Sequence, residues 1–355
     1  MRILAYCSWF RPTLGRDCAE ELLLGLERRG HTLVGVISYH TDMPWLELCA
    51  RRGWNPIPTL HEFGWPMSRW SHELETNKQA QEKLESWLKP LEDLKPDIGF
   101  TFFASWVPPA MASLPKLGFM NFHPAPLPQL RGYFPEDLAL LKGLKECGGT
   151  LHRVDRGIDE GAVLAYTQPA PTEFWDTPDS LMQRVSEWAL PDIWKLFDQL
   201  EKGKVEQKVQ NPDEIYEASY EALYSESHVD WARDLHAVLH RRFQVFRGQD
   251  HRMLLKASWN SVEYTIWDWE LHTGNYIGNA GEVLGSLSSS GGRIHPLVIR
   301  TLEGLCVIWE YEKYQKEEGS PAFVDRKRMD SSRVLPSGVR HNQAKEEWFH
   351  PWRQT

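Results

Sequence analysis

Met1-Arg-Ile-Leu-Ala-Tyr-Cys7, Asp17-Cys-Ala-Glu-Glu-Leu-Leu-Leu-Gly-Leu-Glu-Arg-Arg29 and Leu33-Val-Gly-Val-Ile-Ser38 follow one another at the start of the chain. The first and third are short apolar runs of strand length. The second carries acid first, base last and leucines at helical spacing. Strand, helix, strand at this spacing is the opening of a parallel sheet, because parallel neighbours need a crossover and a helix supplies it. The loop between the first strand and the helix, Ser8-Trp-Phe-Arg-Pro-Thr-Leu-Gly-Arg16, has a single glycine. It is neither a P-loop nor a dinucleotide fingerprint.

Outward from that unit the α/β pattern continues. Pro96-Asp-Ile-Gly-Phe-Thr-Phe-Phe103 reads as the next strand, with a short helix from Val107 to Ala112 after it. Glu73–Leu94 has helical periodicity, and Pro90 is expected to kink or end that helix. Pro44–Trp70 reads as irregular and aromatic-rich. Cys147–Val154 and Ala162–Thr167 are strands, and Thr177 caps a long helix to about Lys202 with Pro178 in its first turn. Beyond it, residues 203–212 read as a linker. A helix is expected from about Asp230 to Arg241, and strand-like runs at Met253–Ala257, Glu263–Trp267, Gly281–Leu287, Leu297–Thr301 and Leu305–Trp309 suggest a small β-barrel or sandwich. The expected organisation is a catalytic domain over 1–202, a smaller β-rich domain over 213–320 and a charged tail over 321–355.

The chemistry concentrates between Leu117 and Gly161. Phe119-Met-Asn-Phe reads as a short buried strand stopped by Pro124, Pro126 and Pro128. Asn121 and His123 project to one side of an extended backbone. Asp159 sits in a glycine-flanked turn, Gly157-Ile-Asp-Glu-Gly161, which lets backbone approach a ligand closely. Acyl transfer to an amine puts negative charge on the carbonyl oxygen and positive charge on the nitrogen. An amide N–H and an imidazolium N–H suit the former, and a preorganised donor of this kind is worth about 3–4 kcal/mol. A carboxylate beside the imidazole would raise its basicity and relay the amine's proton. No serine or cysteine stands near as a nucleophile, so direct attack is expected.

These residues resemble the folate-dependent formyltransferase family, whose pattern is Asn-x-His-Pro-x-x-Leu-Pro-x-x-Arg-Gly followed by Gly-x-Thr-x-His-x-x-Asp-x-Gly-x-Asp-x-Gly. The chain has Asn121-Phe-His-Pro-Ala-Pro-Leu-Pro-Gln-Leu-Arg-Gly132 and Gly148-Gly-Thr-Leu-His-Arg-Val-Asp-Arg-Gly-Ile-Asp-Glu-Gly161. The resemblance implies a Rossmann-like domain, a mostly parallel sheet with helices on both faces, that binds 10-formyltetrahydrofolate as co-substrate and needs no metal. It implies that Asn121 and His123 polarise the formyl oxygen and its tetrahedral intermediate, that Asp159 orients His123 and assists proton transfer, and that His152 supports them. It places the pterin against Phe103, Ala104, Ser105, Trp106 and Val107 and against Arg156, Gly157, Ile158 and Gly161. Arg131, Gly132 and Tyr133 fall to the acceptor, and Asp155 to a structural role.

Family members differ in the amine they formylate. Tyr39–Ala50 contains no Lys or Arg, and the net charge is −9, which disfavours a nucleic-acid surface. The expected acceptor is a small-molecule primary amine, an amino sugar on a nucleotide carrier or a specialised-metabolite amine, and the alternatives are methionyl-tRNA formylation and formyl-folate hydrolysis. Glu136 and Asp137 invite a cationic substrate. Trp54, Trp65 and Trp106 are candidates for the pocket wall, whereas His236 and His240 lack a third partner for a metal. Five cysteines without a CxxC pair, no apolar run near the ~20 residues of a membrane span, and no signal peptide give a cytoplasmic expectation, with a homodimer allowed for.

Overall fold

Every residue of strand β1 (Arg2–Cys7) except Arg2 is buried, as an interior strand of a parallel sheet must be. The computed structural model describes residues 1–7, 16–38, 43–59, 77–102, 107–211, 213, 216–246, 254–259, 262–286 and 297–313. They form two units, Met1–Ala139 with Leu144–Ala218, and Leu140–Gly143 with Ser219–Thr355.

In the first unit β1 is followed by α1 (Arg16–Arg28), β2 (Thr32–Ser38), α2 (Met43–Arg52) and β3 (Pro56–Pro58). Next come α3 (Lys78–Asp93), β4 (Ile98–Phe102), α4 (Pro109–Ala112), β5 (Phe119–His123), β6 (Leu130–Gly132) and α5 (Pro135–Leu141). The unit closes with β7 (Glu146–Cys147), β8 (Thr150–Arg153), β9 (Val163–Tyr166), β10 (Ala170–Pro171), α6 (Pro178–Glu201) and β11 (Tyr216–Ala218). The main sheet has seven strands in the order β3-β2-β1-β4-β5-β8-β9. The first five are parallel, β8 runs antiparallel to β5, and β9, antiparallel to β8, points with the first five again. Strand order reverses between β1 and β4, the place where open α/β sheets leave a crevice at their carboxyl ends.

Alternation along the strands loads both faces with helices. Leu4 and Tyr6 of β1, with Ile37 and Phe119, pack against Leu84, Trp87, Leu88 and Leu91 of α3 and Met111 of α4. On the other face Phe100 meets Phe197 of α6 edge-on, with ring centroids 5.4 Å apart. Helix α6 lies along α1: the Trp194 indole N–H donates to the Leu22 carbonyl at 3.1 Å. A Cβ at Gly25 would stand 2.2 Å from that indole. The glycine costs α1 some helix propensity and is what admits the ring. Thr177 caps α6 in a box closed by Ser180, as its sequence anticipates.

Several expectations need correction. Pro44–Trp70 is not irregular throughout, since α2 and β3 lie in it; Met43–Arg52 is made largely of good helix formers, and its Trp45, Leu48 and Cys49 are buried on one side. Residues 60–76 lie outside the described residues. Helix α3 ends at Asp93, within a turn of Pro90 as expected; Pro90 itself faces solvent while Leu88 and Leu91 are buried. The expected strand Cys147–Val154 splits at Gly148-Gly149, with Cys147 in β7 pairing β10 and Thr150 opening β8. Lys208 of the expected linker pairs with Val163, and Tyr216–Ala218, expected at the start of the smaller domain, run parallel to β6 within the first unit.

The second unit contains α7 (Tyr220–Glu226), β12 (His228–Val229), α8 (His236–Phe246), β13 (Lys256–Trp259), β14 (Val262–Thr273), β15 (Val283–Ser286), β16 (Leu297–Arg300) and β17 (Gly304–Lys313). One six-stranded sheet, β12-β13-β14-β17-β16-β15, replaces the barrel or sandwich among the described residues. Its β-rich character follows from the alternating runs, and its core is Tyr276, Val298, Leu305 and Val307. The helix expected from Asp230 begins later, at His236, because the Asp230 backbone N–H is taken by the Asp234 carboxylate in a local turn. The tail 321–355 lies outside the described residues. Among the described residues no helix is long and apolar enough to cross a membrane, and no group of three or more His, Cys, Asp or Glu is placed to hold a metal ion.

Candidate active site

Register builds the centre of the site. Thr101 of β4 is the neighbour of Asn121 on β5, and His152 of β8 is its neighbour on the other side. The three side chains form one polar row across the carboxyl end of the sheet. The Thr101 hydroxyl donates to Asn121 Oδ1 at 2.5 Å, which fixes the amide with Nδ2 pointing the other way. That Nδ2 reaches His152 Nε2 at 3.0 Å and donates to Asp159 Oδ1 at 3.3 Å. His152 Nδ1 donates to the Arg153 carbonyl at 2.8 Å. Its Nε2 therefore accepts from the amide when bare and can donate to Asp159 Oδ1, 3.4 Å away, when protonated.

His123 ends β5, also on this face. Its Nε2 donates to the Leu130 carbonyl at 2.6 Å, and its Nδ1 faces Asp159 Oδ2 at 3.4 Å. The ring is 4% exposed, so the nitrogen left to chemistry is Nδ1, on the Asp159 side. The proline loop that follows is pinned from behind. Thr150 Oγ1 donates to the Ala125 carbonyl at 2.8 Å and accepts from the Leu127 N–H at 3.0 Å, while the Tyr166 hydroxyl donates to the Leu127 carbonyl at 3.1 Å.

Asp159 is the hub. It has φ 52°, a left-handed conformation that aspartate tolerates better than most residues. Besides the two histidines and Asn121 its carboxylate accepts the Gly132 backbone N–H at 3.2 Å. Burial alone would push its pKa up; the His123 charge, the hydrogen bond and charge of His152 and the Gly132 amide outweigh burial and hold it at about 2. The carboxylate is thus a resident anion. Its loop is held by Gln210, whose Nε2 donates to the carbonyls of Asp159 at 2.7 Å and Gly161 at 2.8 Å.

Asn121, His123, His152 and Asp159 thus converge. Gly132 joins them through its backbone, and Gly161 lies buried at the end of the Asp159 loop. Arg131 reaches Glu160 at 3.2 Å; Tyr133, Arg156 and Ile158 are exposed around the loop, and Gly157 is half-buried. Val107 is buried in the sheet core. Phe103, Ala104, Ser105 and Trp106 lie outside the described residues, as does Trp65. Asp155 accepts the Arg156 N–H at 2.8 Å, a local turn contact. Trp54 does not line a pocket: it is 4% exposed and donates to Glu27 at 2.8 Å. Glu136 and Asp137, suggested for a cationic substrate, are buried in the first turn of α5. His236 meets Thr301 Oγ1 at 2.6 Å.

Residues 16–191, which carry this whole cluster except Gln210, match the sequence profile of a family described as formyl transferase. This segment belongs to the formyl transferase family. A methionyl-tRNA formyltransferase of Pseudomonas fluorescens (strain Pf0-1) is 33% identical to the chain over 144 residues, which are 40% of this chain and 44% of that protein. The chain spans about half the length of this relative and of the Marinobacter nauticus one, 44% and 54%. Two solved structures share the fold. The N-formyltransferase from Helicobacter canadensis, in complex with folinic acid and dTDP-3-aminofucose, superposes with TM-score 0.54 at 18% identity over 88% of this chain and all of its own. HypX from Aquifex aeolicus, in complex with tetrahydrofolic acid, gives TM-score 0.52 at 20% identity over 89% of this chain and 45% of its own.

Within the formyl transferase segment sequence reasoning missed Thr101, whose hydroxyl orients Asn121, and the Leu130 carbonyl that orients His123. The position of Thr101 two before the end of a strand beside β5 was a usable signal. Gln210 lies beyond the matched segment, 51 residues from Asp159, and no local pattern marks it.

Proposed function

We propose that this chain transfers a formyl group from 10-formyltetrahydrofolate to the primary amine of a small molecule. The observation that carries the reading is the convergence of Asn121, His123 and His152 on a partly buried, ionised Asp159 at the carboxyl end of the sheet. The folate, when bound, supplies an activated one-carbon carbonyl. The donor set suits it: two N–H groups beside one anion are what such a carbonyl and an incoming amine require. Asn121 gives up its longer bond, to Asp159, and turns that N–H to the carbonyl oxygen, while His123 offers Nδ1–H. Asp159 draws the proton off the attacking nitrogen as the new C–N bond forms, and the bare Nε2 of His152 relays it to the folate nitrogen as that nitrogen's bond to the formyl carbon breaks. Cys7, Cys49 and Cys147 are pushed up to about 12, 11 and 12 chiefly by burial, so none of these three competes as a thiolate nucleophile. All five cysteines are buried thiols, in keeping with a cytoplasmic protein.

For the acceptor, a nucleotide-linked amino sugar is the class to favour, on the net charge of −9 and on the sugar nucleotide bound by the Helicobacter canadensis protein. A second reading, formylation of methionyl-tRNA, draws on the name of the Pseudomonas relative. Purified protein is to be mixed with 10-formyltetrahydrofolate and tetrahydrofolate release followed with dTDP-amino sugars, with free amino acids, with charged initiator tRNA and with no amine. Release with an amino sugar is expected. Release with tRNA alone replaces the acceptor class, release without any amine makes the protein a hydrolase, and no release under any condition defeats formyl transfer.

A further inference from the structure

We propose that Gln210 is a positioning residue for Asp159, and that the stretch after α6 is a working part of the site and not a spacer. This rests on the reading of Asp159 as the proton acceptor. The Asp159 turn has a non-glycine residue at φ 52°, and such a conformation persists only where its surroundings over-determine it. The Gln210 carboxamide spends both its N–H groups on doing so, one on the carbonyl of Asp159 and one on that of Gly161. Holding the carbonyls on either side of Glu160 fixes the direction in which the Asp159 side chain leaves the loop.

The same stretch grips the site twice more. Lys208 exchanges backbone hydrogen bonds with Val163 at 2.8 and 2.9 Å, which anchors the strand leaving the loop. Tyr216–Ala218 then run beside β6, and β6 ends in Gly132, whose N–H holds the Asp159 carboxylate. One segment therefore fixes both the backbone that bears Asp159 and the backbone that binds its oxygens. Gln210 is 8% exposed and its Oε1 has no hydrogen-bond partner among the described residues. A buried bare acceptor is a cost that packing alone would not retain, and the two donated bonds are what it offsets.

The test uses the full chain with Gln210→Met, which keeps length and removes the donors, and Gln210→Glu, which keeps shape and cannot donate when ionised. Carbon-13 NMR of the Asp159 carboxyl, assigned by its loss in Asp159→Asn, reads the positioning without any acceptor. In a folded variant the titration of Asp159 is expected to rise from its wild-type position toward that of an ordinary aspartate, because its partners recede. Where an amine supports turnover, kcat is expected to fall by about 10²-fold with KM for 10-formyltetrahydrofolate changed less than about threefold, since misplacement by about 1 Å costs that much in rate. An unmoved Asp159 titration in either folded variant overturns the proposal. Should wild type turn over no amine at all, the formyl-transfer reading fails while the titration still decides the role of Gln210.

Discussion

His123 and Asp159 face each other at 3.4 Å, Nδ1 to Oδ2, across a ring whose other nitrogen is already committed to the Leu130 carbonyl. A proton arriving at Nδ1 therefore makes an imidazolium, stabilised at once by a carboxylate that is ionised in advance. This is a proton store with one open door. The ring ends strand β5 and does not sit on a loop, so its direction is fixed by the sheet, as proton transfer needs.

Asp159→Asn keeps the shape of the side chain and removes its charge, and His123→Ala removes the store itself. Each is expected to lower kcat by at least about 10²-fold. The folded state, followed by circular dichroism and thermal melting, should be kept in both. Initial rates of tetrahydrofolate release check this, and turnover close to wild type in both variants would sink the assignment of roles.

The acid side of the stability curve carries a second expectation. Asp159 titrates at about 2 in the folded protein against a reference of 3.8, so its pKa is depressed by folding. A depressed carboxyl stabilises the fold at every pH above the unfolded value, and that share is lost as pH falls through the folded one. The Asp159→Asn variant has no such share. The gap in unfolding free energy between wild type and variant should therefore narrow from about pH 5 to about pH 2.5. Urea unfolding at the two pH values measures it; a gap that widens on acidification contradicts the ionised resting state.

Thr101 is 1% exposed and its hydroxyl meets Asn121 Oδ1. Replacing it by Val keeps the volume and strips the amide oxygen of its donor, at a cost of about 1–3 kcal/mol for a buried unsatisfied acceptor. The amide is then free to turn, and its N–H groups no longer point at His152 and Asp159. We expect Thr101→Val to lower kcat roughly tenfold and the melting temperature by several degrees, and Thr101→Ser to restore most of both. If Ser and Val behave alike, the hydroxyl is not what orients Asn121.

How much of this could be read before the coordinates depended on the range of the interactions. Asn121 and His123 were legible as a pair because alternation along one strand is local, and the opening strand, helix and strand were legible for the same reason. Asp159 was legible because a motif carries it. His152 was legible in the same way, although its contact with Asn121 forms only through β5 pairing with β8; Thr101 was not, because it meets Asn121 only through the pairing of β4 with β5. Gln210 belongs to a charged stretch with the texture of a spacer, and only the folded chain brings it to the Asp159 loop. Helix α2 escaped notice because it is short and sits among proline and tryptophan residues that read as loop, although Trp45, Leu48 and Cys49 share a packed face.

The two glycines of the Asp159 loop offer a last, sharper comparison. A Cβ at Gly161 would lie 1.8 Å from the Arg153 carbonyl oxygen, a backbone atom held in the sheet. One at Gly157 would meet only the end of the Glu160 side chain, at 2.0 Å, and that chain can swing into solvent. Gly161→Ala must therefore shift the loop and carry Asp159 with it, so kcat should fall about 10²-fold and the melting temperature with it. Gly157→Ala should leave the melting temperature within a degree or two. Its kinetics then report on the ligand alone: a raised KM for 10-formyltetrahydrofolate with unchanged kcat means the folate approaches this backbone, and an unchanged KM removes Gly157 from the folate surface.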